Sequence, residues 1–151
     1  MTLKDDILAR AAKQLDKSSN AVNSGEWFDN LISLLRAKVT DLPASDDIKI
    51  STNETITVVS SQKDKIVGLG SDAFALFIDK LASGNEHEAA TIYLRAIGSV
   101  DAIIEAMDQG TLGVIEAKRR LDKMWADAWE IVKTIAIKGA QLLLPLLLAA
   151  L

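Results

Sequence analysis

Residues 111–151 read TLGVIEAKRRLDKMWADAWEIVKTIAIKGAQLLLPLLLAAL, and this stretch decides the fold. From Thr111 nothing in it stops a helix until Pro145. Val114, Leu121, Met124, Trp125, Ala128, Val132 and Ile135 recur at helical spacing as a narrow apolar stripe. A straight helix from Thr111 to Leu151 would be about 60 Å long. A compact domain of this size has a radius of gyration of about 15 Å, so the segment must bend or project. Pro145 lacks an N–H, and its ring crowds the carbonyl of Gln141, which predicts a bend or break close to Leu144.

The last ten residues, Leu142 to Leu151, are apolar all the way round. A helix with no polar face must be buried in protein or in lipid. The expected contact residues are Trp125, Trp129, Val132, Ile135, Leu142, Leu143, Leu144, Leu146, Leu147, Leu148 and Leu151. Three destinations compete: the chain's own core, an oligomer core and a bilayer. About 20 residues from Ile131 could span a hydrocarbon core of roughly 30 Å, with Trp125 and Trp129 near its edge. Against lipid, Lys138 cuts the uncharged run to Gly139–Leu151, which is about 20 Å long, and Gln141 and Pro145 fall inside it.

The rest of the chain supports a mainly α fold. Leu3, Ile7, Leu8, Ala11 and Leu15 place one apolar face on a helix over Thr2–Asp16, with Thr2 as its cap. Ser24 is placed to cap a second helix to about Val39, with Trp27, Phe28, Leu31, Leu35 and Val39 on its core face, widened by Ile32 and Leu34. Pro43 and the acids around it mark residues 41–47 as a loop. Ile48-Lys-Ile50 and Thr55-Ile-Thr-Val58 then alternate at period two, which predicts a small β-hairpin at about 48–60, and Ile66-Val67 can add a short strand. Ser71-Asp72 opens a helix to about Ala82 with Phe74, Phe77, Ile78 and Leu81 on one side. Asn85 and Glu88 form a capping-box start for the next helix, which Gly98-Ser99 interrupts before Val100–Asp108. Gly110 is placed as a C-cap glycine. The expected architecture is a helical bundle with an inserted hairpin, residues 1–109, followed by a long C-terminal helix, residues 110–151.

Composition narrows the chemistry. The chain has 151 residues, 49% apolar, only 5% aromatic, and no cysteine, so thiolate metal sites and cysteine nucleophiles are excluded. A net charge of −4 and a pI near 5.0 argue against general nucleic-acid binding. The first residues lack the apolar run of a signal peptide, so synthesis in the cytoplasm, followed by assembly or membrane association, is expected.

Each motif with chemical potential has a plainer reading. Gly68-Leu-Gly-Ser-Asp-Ala73 matches a dinucleotide fingerprint, yet Asp72 would repel a pyrophosphate there and no parallel partner strand follows. It reads better as a glycine-rich turn into a helix. His87, the only histidine, has no second His or Cys to complete a transition-metal site. Asp101, Glu105 and Asp108 read as a solvated helix face. Lys118-Arg-Arg-Leu-Asp-Lys123 lies near Trp125 and Trp129, but Asp122 and Asp127 dilute its charge. No catalytic residue, cofactor or metal is expected. The first functional expectation is a non-enzymatic structural or assembly subunit of a multi-copy complex, such as a virion or secretion-apparatus component, forming a homo-oligomer or larger assembly. The second is a membrane-active or tail-anchored protein, of pore-forming or ejection type, inserting residues from about 131 to 151.

Overall fold

A computed structural model describes residues 4–7, 9–10, 26–97 and 99–150. Its helices are α1 (Glu26–Thr40), α2 (Asp46–Ser61), α3 (Ser71–Ala82), α4 (Glu86–Ile97), α5 (Ser99–Asp108), α6 (Val114–Ile135) and α7 (Ile137–Ala150). A helical turn, Lys63–Ile66, and a 3-10 turn, Val67–Leu69, link α2 to α3. Residues 4–7 and 9–10 are also helical, as the first expected helix requires. The expected helix positions Leu3, Leu8, Ala11 and Leu15 and the expected caps Thr2 and Ser24 lie outside the described residues.

The fold is mainly α, and no strand occurs among the described residues. The expected β-hairpin at 48–60 is therefore corrected: those residues lie within α2. Ser45 caps the helix by accepting from the Ile48 amide, and Asp46 and Asp47 oppose the positive end of its dipole. Thr52, Ile56 and Val59 then fall on one helical face and are buried. The threonines that looked like strand residues donate back into the helix: Thr52 to the Ile48 carbonyl at 2.7 Å, Thr55 to Ser51 at 3.1 Å, Thr57 to Asn53 at 3.0 Å. Burial of one face outweighs a β preference worth a few tenths of a kcal/mol per residue. Ile66 and Val67, expected as a strand, belong to the helical and 3-10 turns instead.

α1 buries Phe28, Leu31, Leu35 and Val39 as expected, with Trp27 and Ile32 half-buried and Leu34 exposed. α2 lies against α1, with Lys63 on Asp29 at 3.0 Å and Arg36 donating to Thr57 at 3.4 Å along the seam. α3 buries Phe74, Phe77, Ile78 and Leu81, the expected face. Lys4 and Arg10 tie the N-terminal helical residues to it, through Asp79 at 3.0 Å and Asp72 at 3.6 Å.

α7 occupies the middle of the bundle. It packs on α3, α2 and α1, and its Ala140, Leu143, Leu146 and Leu147 share one core with Leu35, Ile56 and Phe74. Two expectations about this end need correction. The uninterrupted helix expected from Thr111 begins at Val114, after Gly110 (φ 75°) closes α5. The break expected near Pro145 is absent, because α7 runs through Pro145; the chain turns instead at Ala136, where α6 and α7 meet at 79°. Proline is tolerated because it sits on the exposed side of α7 with Lys138, Gln141 and Ala149. Gln141 is itself exposed, so its carbonyl, which loses its helical donor, can be hydrated at little cost.

Candidate functional site at the α6–α7 junction

α6 and α7 carry the residues that the sequence singled out for association. Val132, Ile135, Leu143, Leu146 and Leu147 are buried in the chain's own core. Trp125, Trp129, Leu144 and Leu148 pack partly buried against it, and Leu142 is half-buried. Leu151 lies outside the described residues.

Ala136 joins the two helices with φ 61° and ψ 155°, the single positive-φ residue other than glycine among those described. This backbone region is nearly reserved for glycine, since a Cβ there meets the neighbouring carbonyl. Ala136 nevertheless serves both helices: its amide donates to Val132 at 3.1 Å, and its carbonyl accepts from Ala140 at 3.1 Å. Beside it, α2 approaches α7 at Gly139, where a Cβ would meet the Thr55 side chain at 3.1 Å. Glycine here permits the close contact. An open cleft of about 310 Å³ lies next to this contact, with Glu54 and Lys138 on its rim. Gln141 reaches across to α3 and donates to the Ala82 carbonyl at 3.0 Å, satisfying one of the helix's terminal acceptors.

The motifs with chemical potential are dispersed. Gly68 sits in the 3-10 turn and Gly70 (φ 77°) precedes α3, so the fingerprint lacks the strand that a dinucleotide site needs. Glu105 accepts from Gln109 on the surface, Asp108 is exposed, and the side chain of Asp101 lies outside the described residues. Glu116 is clamped by Arg119 at 2.6 and 2.9 Å and by Arg120 at 3.1 Å. Those hydrogen bonds lower its carboxyl to about 2. The basic run is thus partly neutralised within its own helix. Tyr93 is buried, and desolvation, then the Asp127 charge, raises its hydroxyl above the ordinary value. No cluster of three potential metal ligands occurs among the described residues.

One feature escaped the sequence. The His87 ring lies 5.2 Å from Trp125, which meets Trp129 edge-on at 5.7 Å, so α4 and α6 are joined by an aromatic run. Residues 38 apart carry no local signal of such a contact. His87→Ala is expected to change the tryptophan emission spectrum while moving the thermal midpoint by only a degree or two, since His87 is exposed. An unchanged spectrum would mean that the stack does not persist in solution. Comparison with protein families, curated proteins and solved structures found no match.

Proposed function

We propose that this protein is a non-enzymatic structural subunit of a multi-copy assembly. The observation carrying this reading is a pair of exposed aliphatic side chains where α6 begins. Val114 is 70% and Ile115 88% exposed, and Ile104 on the neighbouring α5 is 41% exposed. Two adjacent, nearly bare aliphatic side chains on a helix are unfavourable in water, and burial against another molecule recovers about 1.5–3 kcal/mol for each. α5 and the first half of α6 form a hairpin beside the main core, well placed to meet a neighbour: Ile103 and Ala117 are buried there but do not join the core cluster. The dispersed polar motifs support a role in binding over one in catalysis.

The test is particle mass in detergent-free buffer. Light scattering of the wild-type chain is expected to give a multiple of 16.3 kDa. Ile115→Asp is expected to lower that mass while leaving the thermal midpoint within a few degrees, because position 115 is exposed. A wild-type mass equal to one chain at all accessible concentrations would refute self-assembly.

A second reading, insertion into a bilayer, is favoured by a different observation. No single described helix is long and apolar enough to cross a membrane, but α6 and α7 taken together meet the length and composition needed, with the 79° bend between them. Flotation of the full chain with liposomes, together with a single-chain mass of 16.3 kDa in detergent-free buffer, would support that reading over assembly.

A further inference from the structure

We infer that α7 can be exchanged between two copies of this chain, with Ala136 as the hinge. This deepens the assembly reading and rests on it. α6 and α7 are interrupted at a residue whose own type gives no reason for a break. Thr134-Ile-Ala-Ile-Lys138 contains neither glycine nor proline, and alanine is the strongest helix former. The backbone there is held at φ 61° and ψ 155°, against its local preference. Such conflict between local propensity and global fold persists only where tertiary contacts enforce it. Here those contacts are the burial of α7 among α1, α2 and α3.

Returning Ala136 to helical angles relieves the strain and fuses α6 and α7 into one helix over 114–150, about 55 Å long. α7 then leaves its groove. It cannot remain in water, because Leu143 and Leu147, both 0% exposed in the closed chain, would be bared. The groove left behind, with Leu35, Ile56 and Phe74 in it, is equally in need of cover. A second copy solves both at once: its α7 is the one surface already shaped to this groove, and reciprocal exchange closes a two-fold dimer. The contacts transfer without loss because they are almost wholly apolar. Gln141 to Ala82 is the one side-chain hydrogen bond from α7 to another helix among the described residues, and it re-forms in the partner.

The absence of cysteine makes a clean test available. A Cβ built at Gly139 lies 3.7 Å from the Thr55 Cβ, the separation a disulfide requires. The full chain carrying Thr55→Cys and Gly139→Cys should oxidise within one chain when dilute. When concentrated, it should yield covalent dimers with two cross-links, each joining position 55 of one copy to position 139 of the other. Ala136→Val, which is more disfavoured at positive φ, should raise the dimer-to-monomer ratio at least about tenfold over Ala136→Gly, which carries no such penalty. If the cysteine pair disturbs folding, light-scattering mass of Ala136→Val against Ala136→Gly, without cysteines, reads the same shift.

Equal masses for those two variants, or intrachain cross-links alone at every concentration, would overturn the exchange. Large particles whose subunits all carry intrachain cross-links would overturn it while leaving the assembly reading intact. Single chains throughout would defeat both. Failure of the intrachain cross-link to form when the reduced chain is oxidised with phosphatidylcholine–phosphatidylglycerol vesicles present, without dimers, would place α7 in lipid and also overturn it.

Discussion

Removal of residues 137–151 is expected to abolish cooperative unfolding of the remaining chain. α7 supplies Leu143 and Leu147 at 0% and Leu146 at 6% exposure, with Ile137, Leu144 and Leu148 packed partly buried beside them. Truncating one buried leucine to alanine costs about 2–5 kcal/mol. Losing three together costs about 6–15 kcal/mol, already comparable to the roughly 5–15 kcal/mol by which a domain of this kind is stable, and the partly buried residues add to it. The loss is felt from the other side too, because α1, α2 and α3 would expose the faces that now meet α7. Circular dichroism of the truncated chain should show reduced helicity and a broad thermal transition. A sharp transition near the wild-type midpoint would mean that the groove closes over without α7, and that α7 is an appendage and not the centre of the bundle.

What could be read from the sequence depended on whether local and tertiary preferences agreed. α1 and α3 were legible because their apolar residues follow the helical period and the same residues are buried: Phe28, Leu31, Leu35 and Val39 in one, Phe74, Phe77, Ile78 and Leu81 in the other. α2 was misread because Ile48, Ile50, Ile56 and Val58 are β-branched and alternate with polar residues, a real local preference. The deciding facts were the Ser45 cap and the partner faces that bury Thr52, Ile56 and Val59, and the second of these is invisible locally. Ile50, at 56% exposure, shows that half of the apparent strand pattern never met a core.

The C-terminal segment inverts the usual reading of proline and alanine. The helix continues through Pro145, where the sequence predicts a stop, and breaks at Ala136, where it predicts none. Both outcomes follow from position. Pro145 faces water, so the backbone group it frees can be hydrated. Ala136 sits where a 22-residue helix must turn its successor back into the bundle, so packing of fourteen apolar-rich residues overrides one strained torsion. Burial of the leucines was legible in the sequence, since an all-apolar end must be covered. Their destination in the closed chain was not, because one chain's pattern does not distinguish its own core from another's.

Phe74→Ala is expected to destabilise the protein by about 3–5 kcal/mol. Phe74 lies on the buried face of α3, the helix that packs on both α7 and α4. Its ring is 0% exposed and meets Trp27 at 6.5 Å with a 52° tilt, while Trp27 in turn meets Phe28 edge-on at 5.7 Å. Alanine would leave a void bounded by rigid helices that carry their own buried aromatic residues, so little relaxation is available to fill it. A domain of this length loses about 2–4 °C per kcal/mol, which places the midpoint on the order of 10 °C lower. Trp27→Ala should cost less than Phe74→Ala despite removing a larger ring. Trp27 is only half-buried, and its indole N–H is enclosed without a hydrogen-bond partner among the described residues. Paired urea titrations would test the ranking: a larger loss for Trp27→Ala than for Phe74→Ala would show that the indole, and not the α3 phenyl ring, anchors α1 to the bundle.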